Sequence, residues 1–135
     1  MVASQDEIVR RHSQLHEDAA TLFRALDDRD EERVGPAFRR FTDHLEAHLH
    51  IDLAVGYRLL MRHPSEAVRR IAERVLAEQE EFPQQFDLLL ARWGVAATPM
   101  LMTQAFRDEL ETIVSNLLKR IRIEERLLSA LSSVA

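Results

Sequence analysis

An all-helical domain is what this sequence predicts, on three observations. Helix formers dominate and helix breakers are scarce, with 3 Gly and 4 Pro among 135 residues, 46% of them apolar and 30% charged. Apolar residues recur at three- and four-residue spacing over four long stretches. Only short breaks separate these stretches, and short connections between long helices make sequential neighbours antiparallel. The expected architecture is therefore an up-down-up-down antiparallel four-helix bundle built by one domain, residues 1–135.

The first helix is expected over about 5–28. Ser4 and Glu7 form the S-x-x-E pattern that caps a helix start, and Ile8, Leu15, Ala19, Leu22, Phe23 and Leu26 follow at helical spacing up to the acidic run Asp27–Asp30. Gly35-Pro36 places a proline where a second helix can begin, and Phe38, Phe41, Leu45, Leu49, Val55, Leu59 and Leu60 carry it over about 36–62, short of His63-Pro64. A third begins at Pro64 on the stripe Val68, Ile71, Val75, Phe82, Phe86, Leu89 and Trp93 and stops at Gly94, with a kink at Pro83, whose ring crowds the carbonyl of Gln79. Gly94–Pro99 reads as a loop. The fourth helix starts within 99–104 and runs to about 132 on Leu110, Ile113, Val114, Leu117, Leu118, Ile121, Leu128 and Leu131.

Composition narrows the function classes. With no cysteine there is no disulfide framework, thiolate zinc site, iron–sulfur cluster or thiol nucleophile. A formal charge of −5, with the pairs Arg10–Arg11, Arg39–Arg40 and Arg69–Arg70 each offset by nearby acids, leaves no nucleic-acid footprint. The N-terminal residues show neither the basic nor the apolar part of a leader, and no apolar run reaches membrane-spanning length, so no membrane association is expected and the cytoplasm is the expected location. No Gly-rich phosphate loop, G-x-S-x-G or H-E-x-x-H occurs, and no catalytic constellation is identified.

Each apolar stripe is interrupted midway by polar residues. On helical wheels at about 100° per residue, His12 and His16 fall at the centre and edge of the first arc, Asp52 and His48 within and near the edge of the second, and Glu124 and Arg120 within and at the edge of the fourth. Glu78 and Gln79 turn inward on the third, while His44 and His50 read as surface or rim positions. His63, before Pro64, reads as a helix-cap residue, Met100 and Met102 as cover at a bundle end, and Trp93 and Tyr57 as packing. Counting outward from turns near residues 32, 65 and 101 puts His12, Asp52, Glu78 and Glu124 at one level, and His16, His48, Glu81 and Arg120 at the next. Polar groups at a common depth of a bundle imply an ion or a closed hydrogen-bond network, because an unpaired buried carboxylate is costly.

Two segments carry a resemblance to a known family. H-L-E-A-H-L-H-I-D at 44–52 resembles the helix-2 H-x-x-x-E/D signature of hemerythrin-like (HHE cation-binding) domains, and R-I-R-I-E-E-R-L-L at 120–128 is similar to their helix-4 H-I-x-x-E-E block. The resemblance implies a non-haem di-iron centre that binds or senses dioxygen, nitric oxide or related oxidants, with His16 or His12 as the helix-1 ligand. The chain departs from the family in two places: no His follows His63, so the helix-3 histidines are missing, and Arg120 stands at the helix-4 His position. A complete five-His, two-carboxylate centre cannot be assembled. His16 or His12, His48, Asp52 and Glu124 remain, with Glu78 or Glu81 as substitute carboxylates.

Two readings follow. The remnant suits one iron, manganese or zinc ion, or a carboxylate-rich pair, provided that Arg120 swings away; non-haem iron would then be partial or absent at full stoichiometry. Alternatively Arg120 is itself the cation, neutralising Asp52, Glu124 or Glu81, which favours a metal-free site. The expected function is a cytoplasmic sensory, stress-related or regulatory module with a degenerate metal site, monomeric or homodimeric, taking a diatomic ligand or oxidant when metallated. The alternative is a metal-free interaction bundle with a protein partner, since F-R-A-L at 23–26, F-P at 82–83 and L-L-K-R-I-R-I-E-E at 117–125 are loosely similar to anti-sigma regulators of the sigma-D type.

Overall fold

The computed structural model describes residues 5–49, 61–78 and 81–132, and every regular element among them is helical. These are α1 (Gln5–Asp27), α2 (Glu31–Leu49), α3 (Glu66–Glu78), α4 (Glu81–Trp93), α5 (Thr98–Leu101) and α6 (Gln104–Ser132). None of them is long and apolar enough to cross a membrane.

α1 begins with Asp6 and Glu7 and carries Arg24 in its last turn, charges that complement the helix dipole. Ile8, His12, Leu15, Ala19, Leu22 and Leu26 are buried along it, a 4-3-4-3-4 spacing that makes one continuous stripe. The helix is closed by paired backbone bonds, Arg29 N–H to the Leu26 carbonyl at 3.1 Å and Asp30 N–H to the Ala25 carbonyl at 3.0 Å, the hydrogen-bond pattern of a Schellman turn. That turn needs a left-handed residue, and Arg29 supplies it at φ 51°.

α2 starts at Glu31 rather than at Pro36, a correction to the sequence expectation. Asp30 terminates the turn and accepts both Arg33 N–H (3.0 Å) and Val34 N–H (3.1 Å), while Glu31 and Glu32 supply first-turn acids, so the helix nucleates before the proline. Val34 is fully buried and anchors this added turn. Pro36 forgoes one backbone bond and remains inside the helix. The expected extension of this helix to about 62, with Val55, Tyr57, Leu59 and Leu60, lies outside the described residues.

α3 starts at Glu66, two residues after the expected Pro64, with Ser65 Oγ accepting Val68 N–H at 3.4 Å. His63 has the capping role foreseen for it, its Nδ1 accepting Ser65 N–H at 2.9 Å. Ile71 was expected in the core but is 42% exposed, and its neighbour Ala72 takes the buried position. Gln79 and Glu80, against which the Pro83 kink was expected, lie outside the described residues. α4 ends at Gly94, where a Cβ would come within 2.5 Å of the Leu90 carbonyl oxygen, too close for any other residue without a backbone shift. The expected loop Gly94–Pro99 holds over 94–97, and its last two residues open the one-turn helix α5, which carries a proline in its first turn and buries Leu101. Thr103 then caps α6, its Oγ1 accepting Phe106 N–H at 3.3 Å.

α1 packs along α2, and α6 lies against α1, α3, α4 and α5. The shared core runs through Leu15, Leu22, Phe41, Leu45, Leu89, Phe106, Leu110, Leu117 and Ile121. Near the start of α6, Phe106 meets Phe38 and Trp93 edge-on at ring distances of 5.0 and 5.3 Å, and the Trp93 indole donates to Glu109 at 2.8 Å. Eighteen residues further along α6, roughly 27 Å at 1.5 Å per residue, the stripe turns polar at Glu124.

Candidate metal centre

Glu124 is 1% exposed in an otherwise apolar stripe and is surrounded on both carboxylate oxygens. Oε2 receives His12 Nε2 at 2.8 Å and lies 3.3 Å from His48 Nε2. Oε1 accepts Arg120 Nε at 2.9 Å, the guanidinium resting 5.3 Å over the Phe82 ring. Burial by itself pushes this carboxyl up, but the contacts with His12 and His48 and the Arg120 charge outweigh it and hold Glu124 well below the usual carboxylate range.

The imidazoles come from different helices. His12 on α1 and His48 on α2 are each 1% exposed, with ring centroids 4.9 Å apart at 70°. His12 is held on both sides, because Glu125 Oε1 lies 3.1 Å from its Nδ1 while Glu124 faces its Nε2. His48 is not held: both of its ring nitrogens are buried with no hydrogen-bond partner among the described residues, the 3.3 Å approach to Glu124 lacking hydrogen-bonding geometry. Buried polar atoms are nearly always satisfied, and an orphan pair on one ring calls for an unseen partner. Arg120 Nη1 is a further buried orphan.

This donor set fits a divalent transition metal. His12, His48 and Glu124 offer one ligand atom each, all within 4.8 Å of one another, and Nε2 of both imidazoles approaches Oε2 of Glu124. Ligands about 2.0–2.1 Å from a tetrahedral ion sit about 3.3 Å apart, which is the 3.3 Å found between His48 and Glu124; the 2.8 Å separation at His12 would open slightly. Two imidazoles and one carboxylate are the ligand types that zinc and ferrous iron take with positions left open. Arg120, expected to swing away for a metal to bind, stands on Oε1 of Glu124, while the imidazoles face Oε2.

Of the sequence candidates, His12, His48 and Glu124 are brought together, and Arg120 contacts Glu124 from the expected lost-His position. His16 is exposed and does not join them; of the His12-or-His16 pair it is His12, the residue on the 8–12–15–19 stripe, that lies in the group. Glu81 is likewise exposed. Asp52 lies outside the described residues, as does the side chain of Glu78, which closes α3. His48 belongs to the level of His12, not to the next turn as counted from the sequence. The expected turn at residue 32 was too late: the α1–α2 connection spans 28–30, and the earlier turn moves the partner of position 12 back from 52, to where the rings of His12 and His48 meet at 4.9 Å.

Two residues were missed. Glu125 was present only as the second acid of the R-I-R-I-E-E block, and its reach to His12 follows from lying next to Glu124 at the α1–α6 seam. Asp18, 4% exposed, pairs with His44 Nδ1, accepts Gln14 Nε2 at 3.2 Å and lies 3.9 Å from Arg40 Nε, so the rim histidine His44 pins α1 to α2. An acid directly before Ala19 on the buried stripe was the available signal. Compared with protein-family models, curated proteins and solved structures, the chain matches none.

Proposed function

We propose that the chain is a hemerythrin-like four-helix bundle, up-down-up-down, with a reduced centre that holds one ferrous ion on His12, His48 and Glu124. It acts as a cytoplasmic sensory or regulatory module whose metal takes a diatomic ligand or oxidant at its open positions, and not as a di-iron oxygen carrier. The observation that carries this reading is His48, a fully buried imidazole whose two nitrogens have no hydrogen-bond partner among the described residues and whose Nε2 points at a carboxylate oxygen shared with His12. A histidine serving only to pack would be better replaced by an apolar residue.

A second reading rests on the Arg120–Glu124 contact at 2.9 Å: the arginine neutralises the buried acid, no metal binds, and the bundle serves a protein partner. The two separate in one experiment. Metal-stripped protein is titrated anaerobically with Fe(II), and in parallel with Zn(II), by calorimetry and thermal melting. Saturation at one ion per chain, a metal-dependent rise in Tm and loss of both in His48→Leu support the centre. No saturable binding by the folded chain leaves the metal-free reading.

A further inference from the structure

Glu125 sits outside the ligand group, 44% exposed, yet its carboxylate oxygen lies 3.1 Å from Nδ1 of the fully buried His12. Consecutive residues on a helix point about 100° apart. α6 therefore puts Glu124 inside the bundle and Glu125 at its seam with α1, and the ring of His12 spans the gap between them. A carboxylate accepts hydrogen bonds and donates none when ionised, so without a metal both nitrogens of His12 face acceptors, Glu125 at 3.1 Å and Glu124 at 2.8 Å; a metal bound at Nε2 would displace the hydrogen there and leave Nδ1–H donating to Glu125. His48 has no such partner among the described residues on its Nδ1.

We infer that Glu125 is the positioning residue of the centre, holding the ring angle of His12 and accepting its Nδ1–H when Nε2 binds a divalent transition metal. This rests on the metal reading above and assigns a role to a residue outside the ligand set. Among the described residues the site is unequal: a carboxylate at the surface lies on Nδ1 of His12, and none lies on Nδ1 of His48. Solvent-exposed Glu125 also ties the strength of His12 as a ligand to the surface of the α1–α6 seam, where a partner contacting Glu125 would alter it.

The test uses the full chain stripped of metal and titrated with Co(II), whose visible spectrum reports ligand geometry, comparing wild type with Glu125→Ala and Glu125→Gln. Loss of the acceptor in Glu125→Ala should weaken Co(II) binding by on the order of 10–100-fold and shift the Co(II) bands. Glu125→Gln retains a carbonyl acceptor without the charge and should recover most of the affinity. In the Zn(II)-loaded wild type, the ¹⁵N shifts of His12 should show a protonated Nδ1 and a metal-bound Nε2. The Tm in chelator should fall modestly for Glu125→Ala, which removes the partner of the buried Nδ1 of His12, and little for Glu125→Gln, all three proteins remaining folded for the titration. Equal losses in Ala and Gln would mean that Glu125 acts through charge alone, and no loss in either would mean that it does not act on His12; each overturns the inference while the metal centre stands. Wild type without saturable Co(II) binding would overturn the metal centre itself, and this role with it.

Discussion

Replacing Arg120 with Met removes the only cationic side chain recorded against Oε1 of Glu124 among the described residues and leaves the rest of the cluster in place. The guanidinium is 12% exposed and its Nε contact is 2.9 Å, so the interaction is closer to a buried charge-assisted hydrogen bond, worth about 1.5–3 kcal/mol, than to a surface ion pair at under about 1 kcal/mol. The stack on Phe82 adds about 0.5–1 kcal/mol. Two features reduce the loss. Glu124 keeps His12 at 2.8 Å, and removal of the orphaned Nη1 relieves a desolvation cost of about 1 kcal/mol. The net expectation is a destabilisation of about 1–3 kcal/mol at pH 7. The pH dependence has a definite sign. Glu124 is held below its ordinary range in the folded protein, so its contribution is fully present above the unfolded carboxylate value, about 4.3, and is lost as pH falls through the lower folded value. Arg120→Met brings the folded value back toward the unfolded one, so the gap between wild type and variant should narrow as pH is lowered below about 4. Urea unfolding followed by circular dichroism in chelator, from pH 7 downward, measures this. A loss below about 0.5 kcal/mol that does not change with pH would refute the coupling of Arg120 to Glu124.

Three further outcomes are expected. His48→Leu should abolish metal binding while changing the stability of the metal-free protein by under about 1 kcal/mol, since exchanging nitrogens without a hydrogen-bond partner among the described residues for apolar volume offsets the lost approach to Glu124; a large destabilisation in chelator by urea melts would show that His48 is satisfied. Asp18→Ala should cost about 1–3 kcal/mol by loosening α1 from α2, with Co(II) affinity unchanged; a loss of affinity would place Asp18 within the centre. Arg29→Gly should raise stability by about 0.5–1 kcal/mol, because a left-handed residue at a Schellman turn favours glycine over a side chain with a Cβ; a lower Tm would mean that the arginine makes a compensating contact.

All three residues of the buried cluster were legible in the sequence as stripe positions. His12 continues Ile8 and precedes Leu15 and Ala19, His48 continues Phe38, Phe41 and Leu45, and Glu124 continues Leu117 and Ile121 at three- and four-residue spacing. What misled the sequence reading was one boundary. Gly35-Pro36 is a strong helix-start signal, but Asp30, Glu31 and Glu32 make an earlier one that wins because it buries Val34. The resulting shift of the turn moved the expected partner of His12 from His48 to Asp52, one helical turn further. The Arg29 turn was unreadable for a related reason, since no glycine marks it. The pairings of Asp18 with His44 and of Glu125 with His12 join residues 26 and 113 positions apart, and such matches depend on the packing of helices, not on periodicity within one.

The most direct measurement of the central claim is anomalous diffraction from crystals of the wild-type chain, purified without an affinity tag, loaded with Fe(II) under anaerobic conditions and recorded on both sides of the iron absorption edge. The account predicts one anomalous peak per chain, within about 2.0–2.3 Å of His12 Nε2, His48 Nε2 and Glu124 Oε2, with Arg120 still on Oε1. Two peaks bridged by carboxylate would contradict the reduced centre, and a fully ordered His12–Glu124–Arg120 cluster without a peak would contradict the metal site altogether.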